Sequence, residues 1–191
     1  MTARRVAALA SPVAFVFLAR RASLGTVSAP EQRIFRFVNK RRPVPQWLVW
    51  VVMQSGSLAA VPITAALALR KDRATALALA IDGTAVWALC KLIKRVVKRG
   101  RPAECLDDVV VIGKSQRGRG FPSGHAAVAT TLTVVGARLL PRPASQLVWA
   151  VPVLVGAGRQ VVGAHLPLDV VGGAALGVTA GSIANIALGA I

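Results

Sequence analysis

Residues 47–69 read WLVWVVMQSGSLAAVPITAALAL, a stretch without one charged side chain, preceded by Pro43 and Pro45 and closed by Arg70-Lys71-Asp72-Arg73. An α-helix rises about 1.5 Å per residue, so a stretch of this length crosses the ~30 Å hydrocarbon core of a bilayer. Comparable stretches lie on either side. Ala74 to Cys90 is apolar except for Asp82 and continues into Lys91, Lys94, Arg95, Lys98 and Arg99, read as the same helix emerging among headgroups before Gly100 and Pro102 end it. Further helices are expected from Ser123 to about Leu140, where Pro141 and Pro143 break the pattern, from Ala144 to Val162, and from Val170 to Ile191. Toward the N-terminus, Val6 to Ala19 is short and lies between Arg4-Arg5 and Arg20-Arg21; it reads as a short span with snorkelling arginines rather than a cleaved signal segment. Glu31 to Asn39 sets Ile34, Phe35, Phe37 and Val38 beside Arg33 and Arg36, as an interfacial helix would. The expected fold is all-α, a polytopic transmembrane bundle of about six membrane helices, with residues 1–30 as an N-terminal membrane segment and 31–191 as the main domain.

Composition narrows the function classes. The 191 residues are 54% hydrophobic and 16% charged, yet 24 Lys+Arg against 7 Asp+Glu leave a formal charge of +17. That excess would suit a nucleic-acid binder, but aromatics are 5%, Tyr is absent, and mean hydropathy is +0.59, so base stacking is poorly supplied and no nucleic-acid partner is expected. The apolar content excludes disorder. Cys90 and Cys105 show no C-x-x-C spacing and imply neither a disulfide framework nor a zinc site. Asp82 lies about 18 Å along a helix from Lys94, too far to share a ligand with it, and is assigned an interhelical hydrogen bond. Gly173, Gly177 and Gly181 recur every fourth residue and expose a strip of backbone for close helix packing, within one subunit by preference, with a homodimer seam as the alternative.

Three short patterns carry the chemistry. In Lys94-Arg95-Val96-Val97-Lys98-Arg99-Gly100-Arg101-Pro102, Lys94 and Arg101 are seven apart and would share a helix face, giving two cations for an oxyanion. In Phe121-Pro122-Ser123-Gly124-His125, Ser123 is a natural N-cap, and Gly124 lets an anion approach the free N–H groups at the helix start, beside His125. In Gly158-Arg159-Gln160-Val161-Val162-Gly163-Ala164-His165-Leu166-Pro167-Leu168-Asp169, Asp169 falls one turn after His165, so its carboxylate can fix one imidazole nitrogen and leave the other as a nucleophile. Taken singly, each pattern also fits a lesser role: lipid-phosphate contact, an ordinary capped helix, or a chance spacing. His125 and His165 are the only two histidines in the chain.

Taken together, the patterns resemble the signature of the type 2 phosphatidic acid phosphatase superfamily, which also includes the vanadium-dependent haloperoxidases: K-x6-R-P, then P-S-G-H, then S-R-x5-H-x3-D. The likeness extends over about Glu31 to Asn185, and every spacing agrees. One position departs, because Gly158 stands where the third motif has Ser. The resemblance implies a lipid phosphatase domain at 31–191 in which His165 attacks phosphorus to form a phosphohistidine, Asp169 orients it, and His125 protonates the leaving oxygen. Lys94, Arg101 and Arg159, with Ser123 and Gly124, would hold the phosphate. It further implies a phosphate ester or diphosphate of a lipid as substrate (phosphatidate, phosphatidylglycerophosphate or a polyprenyl phosphate), a multi-pass position in the cell membrane, and no metal or other cofactor; Glu104, Asp107 and Asp108 are expected to pair with loop arginines. With alternating helices the motifs share one membrane face. That face carries roughly twice the Lys and Arg of the other outside the motifs, which favours a cytoplasmic site. The competing readings are a catalytically silent scaffold of the same fold and a vanadate-dependent haloperoxidase, whose members are typically larger and soluble.

Overall fold

The computed structural model describes residues 3–41 and 45–189, and among them every regular element is helical. In chain order these are α1 (Ala3–Ser23), α2 (Ala29–Asn39), α3 (Gln46–Gln54), α4 (Ala60–Leu69), α5 (Arg73–Val96), α6 (Pro102–Cys105), α7 (Gly124–Gly136) with a 3-10 turn at Ala137–Leu139, α8 (Ala144–Leu147), α9 (Ala150–Val161) and α10 (Pro167–Ala187). Pro43 and Ile191, expected to mark ends of apolar segments, lie outside the described residues, as do the side chains of Arg4 and Arg5.

Among the described residues, three helices are long and apolar enough to cross a membrane: α1 through Val6–Ser23, α5 and α10. The short N-terminal stretch is therefore a full-length helix, with Arg20 and Arg21 in its last turn. The 47–69 stretch is not one helix. Ser55, Gly56 and Ser57 donate backbone N–H groups three residues back to Val52, Met53 and Gln54, and the Ser57 hydroxyl also bonds the Gln54 carbonyl at 2.8 Å. These bonds end α3 and turn the chain. Gly56 packs directly against the backbone carbonyl of His125, an approach that no residue with a Cβ could make. Pro62 falls in the first turn of α4, where its missing N–H leaves no bond unmade. The expected Ala144–Val162 helix is likewise divided, into α8 and α9. Apolarity over twenty residues set the reach of these segments; local turn chemistry broke them.

α7 is the central helix, packed against α10, α5, α9 and α4. Its residues Ala126 through Thr133 are all buried. Small side chains there meet the glycine face of α10: Gly173 lies against Ser123 and Ala126, Gly177 against Ala127 and Thr130, Gly181 against Val134. Thr131 donates to the Gly177 carbonyl at 3.3 Å, and Asn185 to the Val134 carbonyl at 3.0 Å. The glycine strip is thus filled within the chain, which removes it as a homodimer seam.

The outer surface is apolar. Val13 and Phe17 of α1, Leu77, Ile81 and Val96 of α5, and Ile183 and Ile186 of α10 all point outward, an apolar surface of the kind a bilayer covers. α2 divides as an interfacial helix should: Glu31, Phe35 and Asn39 face the protein, while Ile34 and Phe37 are exposed. The Asn39 side chain bonds the carbonyls of Val110, Gln160 and Val161 and accepts from the Val110 N–H, pinning α2 to the end of α9. Asp82 makes no side-chain hydrogen bond among the described residues and is half-buried, so the expected interhelical bond is not formed.

Candidate active site

The helix geometry at Lys94 differs from the sequence reading. α5 stops at Val96, and residues 97–100 are irregular, so Lys94 and Arg101 do not share a helix face. They meet instead across the loop before α7. Lys94 Nζ donates to the carbonyls of Arg119 and Gly120 at 2.9 and 2.8 Å; Arg101 donates from Nε to Gly118 at 3.0 Å and from Nη1 to the Ala164 carbonyl at 2.7 Å. That last bond ties the first motif to the third. The second motif joins them through the Ser123 N–H, which donates to the Asp169 carbonyl at 2.8 Å, and through Phe121, fully buried against Gly172.

Ser123 caps α7, its hydroxyl accepting from the Ala126 N–H at 3.4 Å. No atom stands within 4 Å of where a Cβ on Gly124 would lie, so the helix start opens onto free space. Its first N–H groups and the positive end of the helix dipole face that space, a setting suited to an anion. His125 follows in the first turn, within electrostatic reach of Arg159 and Lys94.

Arg159 is 4% exposed and among the described residues has no carboxylate partner; its Nε has no hydrogen-bond partner there, and Nη1 bonds the Met53 sulfur at 3.8 Å. Such a buried cation is costly unless an anion arrives. After Arg159 the chain reverses through Gly163 at φ +71°, which lies so close to the Val110 carbonyl that a Cβ would stand 2.5 Å from it. The Arg159 carbonyl accepts from the N–H groups of Ala164 and His165. Gly158, where the superfamily motif has Ser, lies against Met53: a Cβ would meet Met53 Cγ at 2.9 Å. The departure from Ser is thus matched by a methionine filling the space.

His165 is buried, and it precedes α10 rather than belonging to it. Its Nδ1 lies 3.5 Å from Asp169 Oδ2, without the geometry of a full hydrogen bond. Asp169 is the third residue of α10, and the same Oδ2 accepts from the Leu166 N–H at 3.0 Å. The two residues meet through this capping interaction, not along one helix face. Burial, reinforced by the cations Lys94, Arg159 and Arg101, holds the His165 imidazole well below the ordinary histidine pKa. It is therefore neutral at pH 7, with an unshared pair available on one nitrogen.

Two residues at the site escaped the sequence reading. Arg99, expected among headgroups, is completely buried, bonding Glu31 Oε2 at 2.8 Å and Asp169 Oδ1 at 3.1 Å. Glu31 Oε1 also accepts the Leu168 N–H at 3.0 Å. Nothing local distinguished Arg99 from Lys98 or Arg95, and Glu31 lies far upstream. The acidic cluster also behaves differently from expectation: Asp108 pairs with Arg36 at 3.0 Å and Lys40 at 2.7 Å, both near α2, and Glu104 accepts from the Arg101 backbone N–H at 3.3 Å.

Residues 73–189 match the family model described as PAP2 superfamily. The chain belongs to that superfamily. Among curated relatives it is 35% identical over 122 residues to decaprenylphosphoryl-5-phosphoribose phosphatase of Mycobacterium tuberculosis, covering 63% of this chain and 65% of that protein. It is 30% identical over 122 residues to undecaprenyl-diphosphatase of Sulfolobus acidocaldarius, covering 61% and 57%. The chain thus spans just under two thirds of the length of the mycobacterial relative. The PAP2 fold is also seen in the similarity to the crystal structure of Aquifex aeolicus LpxE, with TM-score 0.75, 25% identity, and coverage of 82% of this chain and 95% of that one. A transmembrane PAP2-type phosphatidylglycerolphosphate phosphatase from Bacillus subtilis has the same TM-score at 21% identity, covering 96% of each chain, and shares the fold.

Proposed function

We propose that this PAP2 protein is a multi-pass enzyme of the cell membrane, with six membrane segments counting the broken α3–α4 and α8–α9 stretches as one each, that removes phosphate from a lipid phosphate ester or diphosphate through a phosphohistidine. The observation that carries the reading is the buried, unpaired Arg159 guanidinium within electrostatic reach of a neutral, buried His165 backed by Asp169. A buried cation without a carboxylate, beside a nucleophile, suits a dianionic substrate.

In the proposed reaction the substrate phosphoryl group sits before the start of α7. Donors remain for it: Lys94 spends two of its three N–H groups on carbonyls and Arg101 two of its five. These, with Arg159 and the N–H groups of α7, stabilise charge on the equatorial oxygens. The free nitrogen of His165 forms a bond to phosphorus as the phosphorus–oxygen bond to the lipid breaks. The departing electron pair stays on oxygen, which takes a proton from His125. The Nδ1 proton of His165 moves closer to Asp169, which offsets the positive charge on the phosphorylated ring. Water then attacks phosphorus, His125 takes its proton, and the nitrogen–phosphorus bond breaks to release phosphate. Three cations and a helix dipole supply the charge that a metal supplies elsewhere, so the activity is expected to persist in chelator.

The names of the sequence relatives favour a polyprenyl chain on the substrate. An apolar cavity of about 600 Å³, lined by residues including Val51, Ile63, Ala129, Leu132 and Val151, borders α7 one turn beyond the site and offers space for part of such a chain. The test is phosphate release from polyprenyl phosphate, polyprenyl diphosphate, phosphatidate and phosphatidylglycerophosphate in chelator, comparing wild type with His165→Ala. Activity in wild type alone supports the reading; activity that survives His165→Ala, or is lost in chelator, overturns it.

A further inference from the structure

Of the fully buried side chains around the site, Arg99 is the largest: none of its surface is exposed, and both of its charged partners, Glu31 and Asp169, are themselves buried. Burial works against its charge, and the bonds to Glu31 and Asp169 more than offset it, so the guanidinium stays cationic. A fully buried Arg between two carboxylates is not the cheapest way to fill space, since apolar replacements of such groups are often neutral or stabilising. Its geometry is specific. One Asp169 oxygen is taken by Arg99 and the other is left for the Leu166 N–H and His165 Nδ1. Glu31 completes the arrangement by bonding both Arg99 and the Leu168 N–H at the start of α10. The chain of contacts runs from the interfacial helix α2, through Glu31 and Arg99, to the carboxylate that faces the nucleophile.

We propose that Arg99 and Glu31 are positioning residues of the hydrolytic site, acting only through Asp169 to set the orientation and proton affinity of its second oxygen toward His165. This rests on His165 being the nucleophile. With Arg99 removed, Asp169 is free to rotate about its side-chain torsions, and its second oxygen loses a fixed bearing on the imidazole. With the Glu31 charge removed, Arg99 is shared by one carboxylate instead of two and draws more of the electron density of Asp169, which then accepts less well from the ring N–H. Neither residue contacts the substrate space, so both act on turnover and leave substrate binding unaltered.

The test measures kcat and KM for Arg99→Met and Glu31→Gln, alone and combined with Asp169→Asn, on the best lipid phosphate, beside wild type and His165→Ala. Expected is a fall in kcat of roughly tenfold to a hundredfold for Arg99→Met and a smaller fall for Glu31→Gln, the range seen when supporting partners of a reactive group are lost. KM should stay within about threefold, and Arg99→Met should cost almost nothing further in the Asp169→Asn background, because groups acting as a unit are non-additive. A full multiplicative loss in that background, a rise in KM alone, or unchanged kcat in a folded Arg99→Met overturns the proposal. Should Arg99→Met not fold, Glu31→Gln decides alone, since it keeps the size of the side chain while removing its charge and one of its two acceptor oxygens. A readout independent of activity is ¹⁵N-histidine NMR, simplified because the chain holds only two imidazoles. Glu31→Gln should shift the His165 ring signals and leave those of His125 in place; an unmoved His165 ring overturns the proposal. A wild-type protein silent on every lipid phosphate, but with the His165 shift present, overturns the functional reading and leaves the positioning relation standing.

Discussion

Nδ1 of His165 lies 3.5 Å from Oδ2 of Asp169, and the contact crosses the start of α10 because Asp169 caps that helix through the Leu166 N–H. The distance is long for a hydrogen bond, as catalytic contacts without substrate often are. Positive charge gathering on the ring during attack draws the pair together. Asp169→Asn keeps the shape and loses the charge; kcat is expected to fall by about 10²- to 10⁴-fold with KM little changed, as when the orienting Asp of a triad is neutralised. His165→Ala should leave no phosphohistidine to trap by rapid acid-free quench. Retention of more than a tenth of wild-type kcat in Asp169→Asn would count against the pair.

The pH dependence follows from the depressed pKa of His165. Between its folded value and about 6.5, the value for a free histidine, the unfolded chain binds a proton that the folded protein does not. Stability therefore falls as pH drops through that window and is level above it. Thermal melts from pH 8 to pH 5 should show this decline, and His165→Gln should lessen it. The same shift places the acidic limb of kcat/KM that belongs to the nucleophile below the ordinary histidine range. An acidic limb at the unperturbed histidine value would contradict the burial argument.

Arg159 is an unpaired buried cation, which predicts opposite effects on stability and activity. Arg159→Met should lower kcat/KM by about 10²- to 10³-fold, as for loss of a donor to a developing oxyanion. The same change should leave the melting temperature of the free protein unchanged or raise it by about 2–4 °C, the shift that ~1 kcal/mol produces in a chain of this size. Orthovanadate, a mimic of the transferring phosphoryl group, should raise the melting temperature of wild type and not of Arg159→Met. A destabilised Arg159→Met would show that the guanidinium has a structural partner.

Gly158, the one departure from the superfamily motif, packs against Met53. Gly158→Ser places a Cβ 2.9 Å from Met53 Cγ, so the flexible methionine must move, and Arg159 loses its sulfur contact. The expected result is a loss of stability of about 1–3 kcal/mol, the usual cost of overpacking. Adding Met53→Ala should recover most of it in a double-mutant cycle. Independent, additive effects would refute the pairing.

The glycine face of α10 belongs to the core of one chain. At Gly177 a Cβ would stand 2.5 Å from the Ala127 carbonyl, backbone that cannot step aside. Gly177→Val should therefore lower the folded yield in detergent at every protein concentration. A loss that appears only on dilution, with the melting temperature following concentration, would restore an intersubunit seam.

Filling the apolar cavity tests the lipid chain. Ile63→Trp should raise KM for a long-chain polyprenyl phosphate several-fold and leave hydrolysis of a short-chain phosphate ester unchanged. Equal effects on both substrates would place the chain elsewhere.

The sequence alone determined the helical, apolar character of the chain and the superfamily it belongs to. Apolar stretches of membrane length and exposed-face hydrophobics follow from composition and order, because the cost of burying backbone in hydrocarbon leaves only helices. The three motifs were legible because each is short and its reactive residues keep fixed spacings at the ends of apolar segments. How those residues meet was decided by the tertiary structure. Lys94 and Arg101 come together through carbonyls of a distant loop, not through a shared helix face, and His165 reaches Asp169 through a helix cap. The unbroken 47–69 stretch turns at Gly56 because the backbone of His125 must lie against it, a contact between residues far apart in the chain. Arg99 looked like one more basic residue at a helix exit; only packing shows that it is buried between Glu31 and Asp169. Hydropathy and spacing are local properties that one strand of sequence displays, whereas burial and pairing of a charge depend on which distant segment arrives beside it.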